Sequence, residues 1–552
     1  MSPGPFLLTV ALAAAAGLAP AQAAAAACGG RASADQVLEA ELALARGEWP
    51  RAADAYACAA AVSTDAGLAE RATRMAFEGS QLAAAERSAR RWLELEPSRE
   101  EARRFLAVSL LRLYRTEAAT VQFEAILDAA YADRAQGYTA LLATLSEEDN
   151  DTGAALVMDQ LVAADPGLAE AQYARSVLWQ QAEHGERALE AARRATAIKP
   201  GWRMAELAEA RALLLLGRTD EGLARAEALA VDGDPLSVLN RAWMLLGARR
   251  DDEARAAFDA LRRSQVAAPQ ALEGLGTLAY ARRDLEGATR AFTELAQASR
   301  GDETALAYLG FIAADQGRVA PAVRYLERVT TGPRAVPAQL RAYRLMDELG
   351  APERAELALA DFLDQSPGSL RDVVVGRANQ LAEGGRPDDA IALLQRALQY
   401  YPDDDDLRLA QAFLLEKLDR VPAAVRVMRD VLTRRPDDPT ALNSLGYTLV
   451  DRTDRAQEGH GLILRALASR PDSYAIIDSA GWALFRLKRN AEALALLESA
   501  WERSRDAEVA AHLGEVLWAE GRREEARKLW EAARGDAPDN RSLRRAMERH
   551  AG

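Results

Sequence analysis

The sequence predicts an all-α solenoid of about fifteen helix-turn-helix repeats, and three observations predict it. Prolines that close a helical pair recur near every 34 residues: Pro166 and Pro200 are 34 apart, and Pro367, Pro402, Pro436 and Pro471 follow at 35, 34 and 35. Small residues keep the same period. Leu275-Gly276 and Leu309-Gly310 are 34 apart, while Leu445-Gly446, Ala480-Gly481 and Leu513-Gly514 step by 35 and 33. Offsets inside the unit are fixed too. Ala288, Ala322, Ala493 and Ala526 stand 12 residues after Gly276, Gly310, Gly481 and Gly514; Phe292, Leu326, Leu497 and Trp530 stand four further on, and Leu295, Val329, Ala500 and Ala533 three beyond those.

This is the pattern of the tetratricopeptide repeat (TPR). The small residue lets the first helix of a unit (helix A) approach the second (helix B). The large apolar residue fills the gap, and Pro or Asp ends helix B. One unit cannot bury its apolar face, so units stack. Composition agrees: of 552 residues 49% are apolar, too many for a disordered chain. The net charge of −14 argues against a nucleic-acid partner, which needs a basic stripe to neutralise phosphates. Four His and two Cys leave little material for a transition-metal or thiol-enzyme site.

Taken in order, residues 1–27 read as a signal peptide. They carry no charged side chain; an apolar stretch from Phe6 to about Leu18 is followed by Ala21-Gln22-Ala23, a small-residue cleavage site. Cleavage falls after Ala23 or before Cys28, and the expected location is the periplasm, with anchoring to the outer membrane if Cys28 is acylated. Three readings of the thiols stay open: lipidation of Cys28, a Cys28–Cys58 disulfide in an oxidising compartment, or a free buried Cys58. Membrane contact is expected only through such a lipid. Residues 33–436 form the partly degenerate part of the array and 437–538 the clearest repeats. Val373-Val374-Val375 looks strand-like but falls inside a helix A by register. Residues 539–552 read as a polar terminal cap, since Arg541, Arg544, Arg545 and Arg549 cannot face a core.

No enzyme chemistry is legible. The run Asp403 to Asp406 follows Pro402 and opens a helix, where acids favour the positive end of the macrodipole; it lacks the alternating ligands of a calcium loop. His184, His460, His512 and His550 lie in different repeats, and His512 is expected to be packed or partly exposed rather than a ligand. Gly274-Leu275-Gly276 belongs to the repeat, not to a phosphate loop. No catalytic residue, metal or cofactor is expected, and the chain reads as a non-catalytic binding scaffold for protein partners.

The register also predicts a groove lined by helices A. With the small residue counted as position 8, positions 2, 5, 9, 12 and 13 face it. The last three repeats then offer Asn443, Tyr447, Asp451, Asp478, Trp482, Phe485, Arg486, Glu515 and Trp518, an aromatic row flanked by charge, of the composition interface hot spots favour. If they line a groove, Trp482 and Trp518 are partly exposed in the free chain. The alternative is that the aromatics pack between neighbouring helices A. The Lys and Asn set that clamps a peptide carboxylate is absent from these positions.

The segments Leu442-Asn443-Ser444-Leu445-Gly446-Tyr447-Thr448-Leu449-Val450-Asp451-Arg452-Thr453, Ile477-Asp478-Ser479-Ala480-Gly481-Trp482-Ala483-Leu484-Phe485-Arg486-Leu487 and Val509-Ala510-Ala511-His512-Leu513-Gly514-Glu515-Val516-Leu517-Trp518 together resemble a family of exported Gram-negative TPR proteins. Ala66-Gly67-Leu68-Ala69-Glu70-Arg71-Ala72-Thr73-Arg74 is similar to its second repeat. The best-known type in that family is an outer-membrane lipoprotein adaptor. The resemblance implies an adaptor that binds a periplasmic carboxyl-terminal processing protease and brings cell-wall hydrolases to it, and it implies lipidation at Cys28. The alternative function is an assembly scaffold for an envelope export, secretion or polysaccharide machine.

Overall fold

The computed structural model describes residues 32–550, apart from Gly47, Asp149, Val231, Asp232, Gln265, Val266, Pro367, Gly368, Asp403 and Asp472. The described residues form thirty-one α-helices and no strand. The chain divides into two compact units, Met1–Val373 and Val374–Gly552. The boundary falls inside the helix Leu370–Glu383, which contains Val373, Val374 and Val375. The first unit holds ten A–B pairs, from Ser33–Ala45 with Trp49–Val62 to Ala335–Glu348 with Pro352–Gln365. Five pairs follow. The last three join Pro439–Arg452 to Ala456–Ser469, Tyr474–Arg486 to Asn490–Arg503, and Ala507–Ala519 to Arg523–Asp536, and a single helix Arg541–Arg549 closes the chain.

Short-range chemistry explains the helix ends. Asp438 accepts a hydrogen bond from the Ala441 N–H with Pro439 in the first turn, and Asp284, Asp302, Asp506 and Asn540 cap their helices in the same way. Most A–B turns use one left-handed residue, such as Lys488 at φ 64° or Gly521 at φ 83°. There the Lys488 N–H bonds to Phe485 O and the Arg489 N–H to Leu484 O, each at 2.9 Å, which satisfies the last carbonyls of helix A. The turn after Pro439–Arg452 differs. Its C-cap Thr453 is extended at φ −143°, and its Oγ1 donates to Leu449 O at 2.6 Å. One extra residue in this repeat is taken up here.

The offsets read from the sequence are the core. Ala288, Ala322, Ala493, Ala526, Phe292, Leu326, Leu497, Trp530, Leu295, Val329, Ala500 and Ala533 are all buried. The large residue of helix B lies on the small residue of helix A. A Cβ placed on Gly514 would stand 2.0 Å from Trp530 Nε1, so only glycine fits beneath that indole.

Asp404 caps the helix Asp405–Lys417 by accepting from the Asp406 and Leu407 N–H groups. Asp405 is 8% exposed and takes ion pairs from Arg408 at 3.3 Å, Arg434 at 2.6 Å and Arg435 at 3.3 Å. The acids at this helix start therefore tie helix A to helix B as well as capping it. Asp403 lies outside the described residues. In the closing helix Leu543 and Ala546 are buried against Trp530, Leu513 and Val516, while Arg541, Arg544, Arg545 and Arg549 are exposed, Arg549 reaching back to Glu515. Residues 1–27 and Cys28 also lie outside the described residues, and with them both readings of Cys28. Cys58 is half-buried on Trp49–Val62 and is not a free thiol, which corrects the reading of a free buried cysteine there. No helix among the described residues is long and apolar enough to cross a membrane.

Candidate functional site

The helices Pro439–Arg452, Tyr474–Arg486 and Ala507–Ala519 bring the nine groove residues named above onto one succession of faces, but the groove is only partly open. Asn443, Tyr447, Asp451, Phe485 and Trp518 are half-buried and Arg486 is exposed. Trp482, Asp478 and Glu515 are 6%, 5% and 7% exposed, so the expectation of a partly exposed Trp482 is corrected. The reason is His512, one repeat further on. Its ring stacks on the Trp482 indole at 4.4 Å and 19° and covers it.

His512 is the hub of a buried cluster. Its Nδ1 donates to Asp478, 3.0 and 2.9 Å from the two carboxylate oxygens. Its Nε2 lies 3.4 Å from Tyr447 Oη, and the Tyr447 hydroxyl donates to Glu508 at 3.1 Å. Trp482 Nε1 donates to Asp451 at 3.2 Å, and Arg486 stands 3.6 Å from the same carboxylate. Burial pushes the His512 pKa down, but Asp478, then Glu508 and Asp451, outweigh it and hold it above the ordinary histidine value. An imidazolium with both nitrogens donating satisfies this geometry. Burial, with Glu508, Asp451 and Asp478, pushes the Tyr447 phenol well above its ordinary range.

His512 at 5% exposure and Asp478 at the same value offer no access to a substrate, so the cluster interlocks three successive repeats rather than forming a catalytic relay. A similar interlock follows. Glu515 accepts from Arg549 at 2.7 Å and His550 at 2.9 Å, and the His550 ring lies 4.7 Å from Trp518 and 5.6 Å from Trp530. Arg523 and Arg527 stand over the Trp518 ring at 5.3 and 5.2 Å. Among the described residues no three His, Cys, Asp or Glu are grouped to hold a metal ion.

The sign of the pH dependence follows from the raised His512 pKa. Its stabilising contribution is complete below the unfolded value of about 6.5 and is lost as pH rises through the higher folded value. His460, lowered chiefly by burial, acts in the opposite sense and costs stability as pH falls below about 6.5. Thermal unfolding from pH 5 to 9 should therefore show a loss on the alkaline side that His512→Asn lacks. Equal alkaline slopes in the two proteins would refute the interlock.

Three members of this face escape sequence reasoning. The spacing leaves His512 a packed residue without named partners. Phe413, at position 9 of the preceding repeat, is 43% exposed, and Glu416, three residues on, is half-buried. The same register that locates Tyr447 could have found these two. Nothing in the register announces the His512 contacts, because Asp478 lies 34 residues away and Tyr447 lies 65 away.

Models of the tetratricopeptide repeat match residues 239–303, 381–445 and 484–549. These segments are tetratricopeptide repeats. With the helical pairing above, the fold is an all-α TPR solenoid, and TPR repeats indicate a protein–protein interaction scaffold. A TPR repeat-containing protein of Pseudomonas aeruginosa, PA4667, is 36% identical over 207 residues, 38% of this chain and 35% of that protein. The match thus spans about a third of that relative's length. Among solved structures, the Cut9–Hcn1 hetero-tetramer of APC/C aligns over 94% of this chain and 96% of that chain at 15% identity and TM-score 0.32. The thermophilic TPR protein TTC0263 of Thermus thermophilus aligns over 32% of this chain and 97% of that chain at 23% identity and TM-score 0.29. TM-scores this low establish no common arrangement of the TPR units.

Proposed function

We propose that the protein is a non-catalytic adaptor of the cell envelope that holds a periplasmic carboxyl-terminal processing protease and presents cell-wall hydrolases to it. The proposal includes export, with the mature chain in the periplasm and anchored to the outer membrane if Cys28 is acylated. The observation that carries the scaffold reading is the half-open face of the last A helices, where Phe485, Arg486 and Trp518 remain accessible beside the buried interlock. Aromatic and arginine anchors of this kind carry most of the binding energy in protein interfaces. The protease reading is supported by the motifs over 442–453, 477–487 and 509–518, which resemble the exported adaptor family.

A pull-down from solubilised envelopes with the intact mature chain tests both. Recovery of a serine-type processing protease together with a hydrolase supports the adaptor. Recovery of export or secretion subunits instead would replace the protease partner and keep the scaffold. Trp518→Ala should weaken the recovered complex by about 2 kcal/mol, near thirtyfold, as at an aromatic hot spot. A partner whose affinity ignores Trp518→Ala binds elsewhere, and the face would not be the site.

A further inference from the structure

The position-9 row of the last four repeats closes progressively. Phe413 is 43% exposed, Tyr447 is half-buried, Trp482 is 6% exposed and Glu515 is 7% exposed. The open stretch therefore lies towards Phe413, and what surrounds it is rich in acceptors, while the nearby cations are engaged, His512 with Asp478 at 2.9 Å. Glu416 and Glu508 make no ion pair among the described residues: Glu508 accepts from the Tyr447 and Ser542 hydroxyls, at 3.1 and 3.3 Å. Arg452, whose field reaches Glu416, is committed to Asp419. Lys417 is committed to Glu383 at 3.2 Å. Asn443 Oδ1 is buried and accepts no hydrogen bond from a described residue. Glu508 joins this row through Tyr447, which holds the same position as Phe413 one repeat on; burial, reinforced by Asp451 and Glu508, pushes the Glu416 carboxyl above the ordinary range.

We propose that this stretch receives a positively charged, partly apolar segment of a protein partner. A lysine or arginine side chain reaches Glu416 and Glu508 while its apolar neighbour packs on Phe413. The assignment rests on the scaffold reading and adds the chemistry of the ligand. Two features select it. The exposed phenyl ring needs an apolar cover, and two carboxylates without a salt bridge favour a cation. A carboxylate-bearing peptide end meets the opposite of what it requires.

Fluorescence anisotropy on the full mature chain tests this with two labelled decapeptides, one alternating lysine and leucine, the other glutamate and leucine. The cationic peptide should bind, and the anionic one should not. The double variant Glu416→Gln/Glu508→Gln should weaken the cationic peptide about tenfold, and Phe413→Ala should weaken it as well. Glutamine at 508 retains an acceptor for Tyr447 and Ser542, and a thermal-unfolding midpoint near that of the parent certifies the fold. The double variant Asp220→Asn/Asp252→Asn removes two charges from side chains that are 98% and 92% exposed elsewhere. It should leave affinity unchanged. Equal binding of both peptides, an affinity untouched by Glu416→Gln/Glu508→Gln, or an equal loss in the Asp220/Asp252 control would overturn the inference. An envelope partner lost on Trp518→Ala but indifferent to Glu416→Gln/Glu508→Gln would do the same while leaving the scaffold reading in place.

Discussion

Replacing Trp482 by alanine should lower the stability of the last repeats by about 3–5 kcal/mol, the cost of truncating a core aromatic. The side chain is 6% exposed, stacks on His512 at 4.4 Å, packs against Phe485 at 5.4 Å and donates its N–H to Asp451. Its removal leaves a cavity beside an ion pair, Asp478–His512, that water would then reach. Because each repeat touches only its neighbours, hydrogen exchange should accelerate first in 474–519 and leave the early repeats unchanged. Trp482→Phe keeps most of the packing and loses one hydrogen bond, so it should cost about 1 kcal/mol for that bond. Partner affinity per folded molecule should be unchanged in both variants, in contrast to Trp518→Ala. A stability loss under about 1 kcal/mol for the alanine variant would show that Trp482 is not the core residue its burial implies.

The second large effect is expected at Gly459. A methyl group there would stand 2.4 Å from the Gly446 carbonyl oxygen and 2.7 Å from Val450 Cγ2. The nearest atom is backbone, so relief requires the helices Pro439–Arg452 and Ala456–Ser469 to separate. Gly459→Ala should cost about 3 kcal/mol, the upper end of overpacking penalties. Gly461, two residues along the same helix, has nothing within 4 Å of such a methyl group. Gly461→Ala should instead stabilise by about 0.5–1 kcal/mol through helix propensity. The two variants differ by one methyl placed on opposite faces, so chemical denaturation of the pair isolates the helix contact. Equal effects would show that the close approach contributes nothing.

The Gly446–Gly459 contact also shows where the repeat rules stop. In the neighbouring repeats an alanine stands 12 residues after the small position, whereas Gly459 stands 13 after Gly446, and the extra residue changes the turn at Thr453. The period and the small residues were legible; a glycine on both helices of one pair was visible as letters, yet its meaning depended on how closely the helices approach.

The sequence by itself determined what is local and periodic. A small residue on helix A opposite a large one on helix B follows from one repeat's own spacing. Asp and Asn start helices through bonds spanning two or three residues, Pro does so through its fixed φ, and the exposed arginines of the last helix follow from its charge. The tertiary structure alone decided which groove aromatics are accessible. Phe413, Tyr447 and Trp482 share position 9, yet their exposure falls along the row. That gradient is set by His512, which approaches Trp482 from 30 residues away and Tyr447 from 65, and the closing helix then caps Glu515 through Arg549 and His550. Register fixes the face on which a side chain stands. Burial on that face depends on what the next repeats lay across it, and no spacing within a single unit carries that information.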